Sequence, residues 1–201
     1  LYNLFDKDKI KFTKIDVTEA KINFNLKNFE KYKIFFKNEF VTKPIYLSKS
    51  EINFFEDEKY ISQIKNVKIK HIQNKLEFKT IIKGLFLGDK IVINLENKKE
   101  KDRFSKIFLI KFLNSHLLTK IELFKSDLKG NYTKGNILFK FKKNRFVGTF
   151  DYIKNKIIFK NSNLNSSYLE GNLLGEIELL PYLDFDLDVD LNNINFNKIT
   201  I

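Results

Sequence analysis

The feature that most constrains this chain is an alternation of apolar and polar residues with a period of two, which sorts side chains onto the two faces of an extended strand. From Leu183 to Leu191 it is unbroken, with Leu183, Phe185, Leu187, Val189 and Leu191 alternating with Asp184, Asp186, Asp188 and Asp190. A helix, at 3.6 residues per turn, would scatter both sets around its circumference. The same pattern runs through Ile22, Phe24 and Leu26, through Ile91, Ile93 and Leu95, and through Ile121 and Leu123. It returns at Ile137, Phe139 and Phe141, at Ile157 and Phe159, and at Ile177 and Leu179. Asn192-Asn193 interrupts it before Ile194 and Phe196, which predicts a bulge or turn that resets the register.

The palette agrees. With 22 Phe and 8 Tyr against only 7 Gly and 2 Pro, strands are favoured over helices. Lys101 to Leu118 admits a helix through Phe104, Ile107, Phe108 and Phe112, or a strand with Phe108, Ile110 and Phe112 on one face. The β pattern on both sides favours the strand. Polar breaks at Lys129-Gly130-Asn131, Lys143-Asn144, Lys154-Asn155 and Asn161 to Ser167 read as hairpin loops, so successive strands should be antiparallel neighbours. Pro44 and Pro181 suit strand starts, edges or turns, and the Gly171/Gly175 pair suits a bulge or bend.

Ile137, Ile157 and Ile177 recur at a spacing of roughly twenty residues, as a unit of about two strands with their turns would give. No linker is visible, so residues 1–201 read as one continuous architecture. The sequence begins at Leu1 and contains no Met, and is expected to be a segment of something longer.

Several kinds of chemistry are excluded or disfavoured. Without Cys there can be no disulfide, thiolate metal site or cysteine nucleophile. His71 and His116 lack the i, i+4 spacing of a metal pair and are expected to be ordinary half-exposed histidines on strands. Side chains two apart on a flat strand are about 7 Å apart, so the four aspartates cannot converge on one cation. They read as a solvated face paired with lysines of neighbouring strands. There is no nucleophile elbow, phosphate loop or dinucleotide fingerprint; no catalytic residue, metal or cofactor is expected.

The net charge of +12 would ordinarily raise nucleic acid or an anionic membrane surface. The excess is nearly all Lys, spread along the chain and accompanied by Ile, Asn and Phe, the residue types that an AT-rich genome favours. Nearly all the aromatics fall in the alternating apolar set, where they are expected to pack or line something greasy. No nucleic-acid partner is therefore expected. No run approaches the roughly 20 apolar residues of a spanning helix, and no signal peptide is visible, so any targeting element or anchor would lie outside this segment.

The passage from Ser166 to Phe196 contains Gly175, Ile177, Pro181, Tyr182 and Phe185 in the order G-x-I-x-x-x-P-Y-x-x-F, leading into an amphipathic strand. It resembles the AsmA-like proteins of Gram-negative bacteria, including the TamB and YhdP types, over about the last seventy or eighty residues. Asp127-Leu128-Lys129-Gly130 is similar to the short polar breaks of those proteins. The resemblance implies a periplasmic protein anchored to the inner membrane by a helix outside this segment. Its long, curled antiparallel sheet would carry phospholipid toward the outer membrane along an apolar groove, without enzymatic activity.

The expected fold is therefore all-β, an elongated, curled antiparallel sheet with little helix. The expected groove lining is Ile22, Phe24, Leu26, Ile137, Phe139, Phe141, Ile157, Phe159, Ile177, Leu179, Leu183, Phe185, Leu187 and Val189, and the expected partners are phospholipid acyl chains. The alternatives are a structural or adhesive extracellular β-repeat protein and a transmembrane β-barrel. The barrel would need a uniformly apolar outer face with aromatic girdles, whereas Trp is absent and Lys111 and Lys154 fall within apolar stretches.

Overall fold

A computed structural model describes residues 14–28, 31, 44–73, 77–100, 103–125, 131–154, 156–178 and 184–195. The strands are β1 (Ile15–Thr18), β2 (Lys21–Asn25), β3 (Ile45–Glu56), β4 (Lys59–Gln73), β5 (Phe78–Phe86), β6 (Asp89–Glu100) and β7 (Arg103–Phe112). They continue with β8 (Leu117–Lys125), β9 (Lys134–Phe141), β10 (Asn144–Ile153), β11 (Lys156–Asn165), β12 (Leu169–Glu178) and β13 (Asp184–Ile194). All thirteen belong to one sheet, which is curled and not closed into a barrel. From β3 to β13 each strand pairs antiparallel with the next in sequence.

This is the predicted meander, with a departure at the start: β1 and β2 both pair with β3 in parallel. Residues 26–44 separate β2 from β3, long enough for the crossover that parallel pairing requires. Where β1 gives way to β2, the Ser50 hydroxyl accepts from Ala20 N–H at 3.1 Å and donates to the Ser48 carbonyl at 2.9 Å. Pro44 stands just before β3, where its missing N–H costs no ladder bond.

Tight turns explain the regular hairpins. Asp57, Leu87, His116, Lys142 and Lys154 all have positive φ, and Gly88 follows Leu87 at +81°, the left-handed backbone that short hairpin turns use. Within Lys101 to Leu118, Arg103–Phe112 form β7, the strand that the flanking alternation favours, while the turn at 113–116 that leads into β8 was not expected; Lys101 and Asp102 lie outside the described residues. The bulge expected near Asn192-Asn193 is present: Gly171 pairs with Leu191 but Glu170 with Asn193, so Asn192 is the extra residue.

Four expectations need correction. Asn161 to Asn165 are not a loop but the second half of β11, and the turn is confined to 166–168. In this polar stretch the regular ladder to β12 lapses between Phe159 and Leu164. Ser162 partly replaces it, its hydroxyl donating to the Leu173 carbonyl at 2.6 Å and accepting from Leu173 N–H. Ile157 and Ile177 do not mark a two-strand repeat; they face each other across one hairpin. His116 lies in the 113–116 turn, exposed, not on a strand. Finally, Asp184 and Asp186 pair across to Glu178 and Glu176, and Asp188 and Asp190 to Leu174 and Asn172, so no lysine is their β12 partner.

The register generates two distinct faces. Ile69, Ile82, Ile93, Ile110, Thr119, Phe139, Phe146, Leu164, Gly171 and Leu191 are successive cross-strand partners on β4 through β13. Among the described residues, all the buried apolar side chains except Phe104 gather on this face in two clusters. Ile52, Ile64, Val67 and Ile91 form one, and Phe146, Phe150, Ile157 and Phe159 the other. Since every strand belongs to the one sheet, no second layer of strands covers this face among the described residues. The face buried without a covering layer is the inside of the curl.

Candidate functional site: an apolar face on an open sheet

The inner face is built by alternation and kept continuous by glycine. Gly84, Gly135, Gly148, Gly171 and Gly175 are all cross-strand partners of inner-face residues, among them Ile91, Phe150, Ile137, Leu164 and Phe159. At these places the apolar surface comes from a neighbour's side chain. Phe150 covers Gly135, and Phe146 and Phe159 meet edge to face with ring centroids 5.6 Å apart. Gly175 has φ +109°, and a Cβ there would sit 2.1 Å from the Asp186 carbonyl oxygen. Only glycine permits that approach between β12 and β13.

Most expected lining residues are brought together. Ile137, Phe139, Ile157, Phe159, Ile177 and Leu187 belong to one packed group, and Ile22 and Phe24 pack on the other. Phe141 continues the same face, paired with Leu117. Phe185 and Val189 share the face through Ile177 and Leu173, but on the terminal strand they are 67% and 48% exposed. Leu26 departs from the expected strand. It falls in the short 3-10 turn at Leu26–Asn28 and is exposed, because β2 ends at Asn25. Leu179, Leu183 and Pro181 lie outside the described residues.

The middle of the face comes from residues the sequence signalled less clearly. Ile52, Phe54, Ile64, Ile69 and Ile82 belong to the first cluster, and Phe146, Phe150 and Leu164 to the second. Their alternation is masked by bulges: Asn66, at φ +51°, shifts the β4 register between Lys65 and Lys68. Elsewhere a glycine stands at an apolar position, as Gly148 does between Phe146 and Phe150.

Polar groups mark one flank of this face. The Tyr132 hydroxyl donates to Asn97 Oδ1 at 3.0 Å, and burial raises its pKa. Lys106 and Lys125 each lie 5.1 Å from the Tyr132 ring centroid, a cation–π distance. His71 is half-buried on β4, its Nδ1 2.7 Å from the Thr80 hydroxyl.

On the opposite face, ion pairs concentrate on the part of each strand away from the 87–88 and 113–116 turns. Glu96 meets Lys79 at 2.9 Å and Lys98 at 3.0 Å. Lys79's hydrogen bond most of all, and Lys98's after it, hold the Glu96 carboxylate below its usual pKa despite partial burial. Lys120–Glu122, Lys156–Glu176 and Lys160–Asp151 continue the series.

No group of three or more His, Asp or Glu side chains suited to a metal occurs among the described residues. Nor is any described helix long and apolar enough to cross a membrane. Compared with models of known families, with curated proteins and with solved structures, the chain matches none.

Proposed function

We propose that this protein binds phospholipid acyl chains along its inner face. It acts as a non-enzymatic conduit between the inner and outer membranes of a Gram-negative envelope, held at the inner membrane by an anchor outside the segment. One observation carries the reading: a file of cross-strand partners, apolar on all but two strands (Thr119 and Gly171 stand on the others), spans ten strands, β4 to β13, on a single sheet with no second layer of strands over it among the described residues. An acyl chain against that file replaces water, and each buried methylene contributes about 0.8 kcal/mol. The contacts are non-directional and repeat from strand to strand, so a chain can slide without meeting a specific barrier. The resemblance of the Ser166 to Phe196 passage to AsmA-like proteins supplies the periplasmic setting.

The open sheet supports a groove over a membrane barrel, because an unclosed edge would leave backbone groups unsatisfied in hydrocarbon. The β-repeat alternative draws on a different observation: β13 is paired on one side only among the described residues, and an unpaired edge can accept another strand.

The test places a photo-crosslinking side chain at Phe139 or Leu187 on the inner face and at Lys140 or Asp186 on the other, in the protein in cells. Lipid adducts confined to Phe139 and Leu187 are expected. Equal labelling on both faces, or none, would mean that the apolar face is an ordinary core. Head-to-tail oligomers captured through β13 without lipid would favour the β-repeat reading.

A further inference from the structure

The turns at 57–58, 87–88, 113–116, 142–143 and 166–168 all emerge on one rim of the sheet, since the antiparallel hairpins alternate in direction. Two of these turns, 87–88 and 113–116, break the ordinary rules of a soluble surface, whereas 57–58 is acidic, with Asp57 between Glu56 and Glu58. Leu87, at a turn apex, is 84% exposed, and Leu113 in the next turn is 46% exposed. Tyr60 and Ile61 beside the first turn and Tyr168 in the last are also exposed. Leu87 is in addition left-handed, at φ +49°, where Asn or Gly would be at ease. A residue that is unfavourable both in exposure and in backbone conformation is expected at a site of interaction.

Directly behind these tips lies a basic row on the outer face. Lys68 and Lys83 are cross-strand partners, a like-charge pair that destabilises a sheet by itself. From Lys83 the row continues through Val92, Lys111, Leu118 and Lys140 to Arg145, strand by strand from β5 to β10. Neighbouring strands are about 4.8 Å apart, so the cations form a band along the rim with aliphatic side chains between them. None of Lys68, Lys83, Lys111, Lys140 and Arg145 takes part in an ion pair among the described residues. The one carboxylate at the 87–88 and 113–116 turns, Asp89, is occupied by the Ser115 hydroxyl and the N–H groups of Asn114 and Ser115.

We propose that this rim docks on a bilayer surface bearing anionic headgroups, Leu87 and Leu113 entering the interface while the basic row meets the phosphates. Apolar tips backed by unneutralised cations are complementary to such a surface, which is greasy below and negative above. Nucleic acid would satisfy the charge but give Leu87 and Leu113 nothing to enter. The proposal rests on the lipid-conduit reading, and it identifies the side of the groove that meets the membrane.

The test is co-flotation of the purified 201-residue chain with vesicles of phosphatidylcholine containing a third phosphatidylglycerol. Pure phosphatidylcholine vesicles and a duplex oligonucleotide serve as comparisons. Binding to the anionic vesicles is expected, weakened by salt and nearly absent on neutral ones. Each cation at the surface supports roughly a fivefold gain in affinity, so the triple variant K83E/K111E/K140E should lose at least about a hundredfold. L87D/L113D should lose vesicle binding with its melting temperature retained. Two results would overturn the proposal: no flotation of the unaltered chain, or oligonucleotide binding that responds to the lysine changes and not to the leucine changes. Binding of a pyrene-labelled fatty acid without vesicles separates the two readings. If docking alone is wrong, fatty-acid binding stays and flotation fails; if the conduit is wrong, fatty-acid binding fails whatever the rim does.

Discussion

Phe150 on β10 lies across Gly135 on β9, its direct cross-strand partner, so closely that a Cβ at 135 would sit 2.3 Å from the ring's Cζ. Phe150 is 2% exposed, the largest fully buried side chain among the described residues. The glycine leaves the space, and the ring lies over backbone that would otherwise be bare. Gly135→Ala should destabilise the fold by about 1–3 kcal/mol through overpacking, and Phe150→Ala by about 3–5 kcal/mol. The double variant should cost less than the sum, since removing the ring relieves part of the clash. A residual clash with the Glu122 carbonyl oxygen, 2.6 Å from the same Cβ, should keep the coupling incomplete. Urea denaturation of the four proteins in the cycle measures this; strict additivity would show that the two residues do not act as a pair.

That pair also shows where the sequence stops being readable. Phe139-Lys140-Phe141 announces a strand because its apolar and polar positions alternate, whereas Phe146-Val147-Gly148-Thr149-Phe150 hides the same face behind a glycine. What is missing at Gly148 is supplied by neighbours brought in by pairing, Ile137 across the ladder and Phe146 alongside. Antiparallel order was legible around β9 to β11, where Lys143-Asn144 and Lys154-Asn155 mark the hairpins, whereas β3 to β5 gave no such reading, because register shifts interrupt their alternation. The parallel pairing of β1 and β2 was not legible, because Lys21-Ile22-Asn23-Phe24 has the same pattern whichever way its partner runs. Leu26 illustrates a related limit: it keeps the period of two, yet the strand has already ended at Asn25. The rim was invisible as well, since only register aligns Lys83, Lys111 and Lys140, residues scattered along the sequence.

Acid should loosen the 113–116 turn. Burial acts to raise the Asp89 pKa, but the Ser115 hydroxyl and the N–H groups of Asn114, Ser115 and Lys90 outweigh it and hold the carboxyl below its usual 3.8. A depressed folded-state pKa contributes stability that is fully present above the unfolded value and lost as pH falls through the folded one. Hydrogen exchange at the Asn114 and Ser115 amides should therefore be protected above the ordinary aspartate range and lose protection below it. Asp89→Asn should abolish that pH dependence. Unchanged protection across the range in the unaltered protein would contradict the assignment.

Leu87 should separate stability from membrane docking. Asn tolerates the left-handed conformation that Leu87 adopts at φ +49°, and exposing leucine gains nothing for folding. Leu87→Asn should raise stability by roughly 0.5–1 kcal/mol while weakening flotation with anionic vesicles. An increase in melting temperature together with reduced vesicle binding is the expected combination. A loss of stability would mean that Leu87 has a structural partner in the folded chain, which its 84% exposure argues against.

Val189 and Leu174 offer a controlled comparison of the two faces. They occupy adjacent strands and are almost equally exposed, at 48% and 46%. Val189 pairs with Leu173 on the inner face, whereas Leu174 pairs with Asp188 on the outer one. Exchanging either for Asn removes a similar apolar area from a similarly hydrated position near the end of the sheet, so each should change folding stability by less than about 1 kcal/mol. Their effects on lipid should differ. At Val189 the new amide faces the path of an acyl chain, which must desolvate it without offering a hydrogen bond, at a cost of about 1–3 kcal/mol. That corresponds to roughly a 5- to 150-fold loss of affinity. At Leu174 the amide faces solvent on the far side of the backbone, and affinity should be unchanged. Titration of a pyrene-labelled fatty acid into the two variants, each matched to its melting temperature, reads the difference directly. Equal losses would mean that binding depends on general stability or on non-specific adhesion, and the inner face would then be no more than the sheet's core.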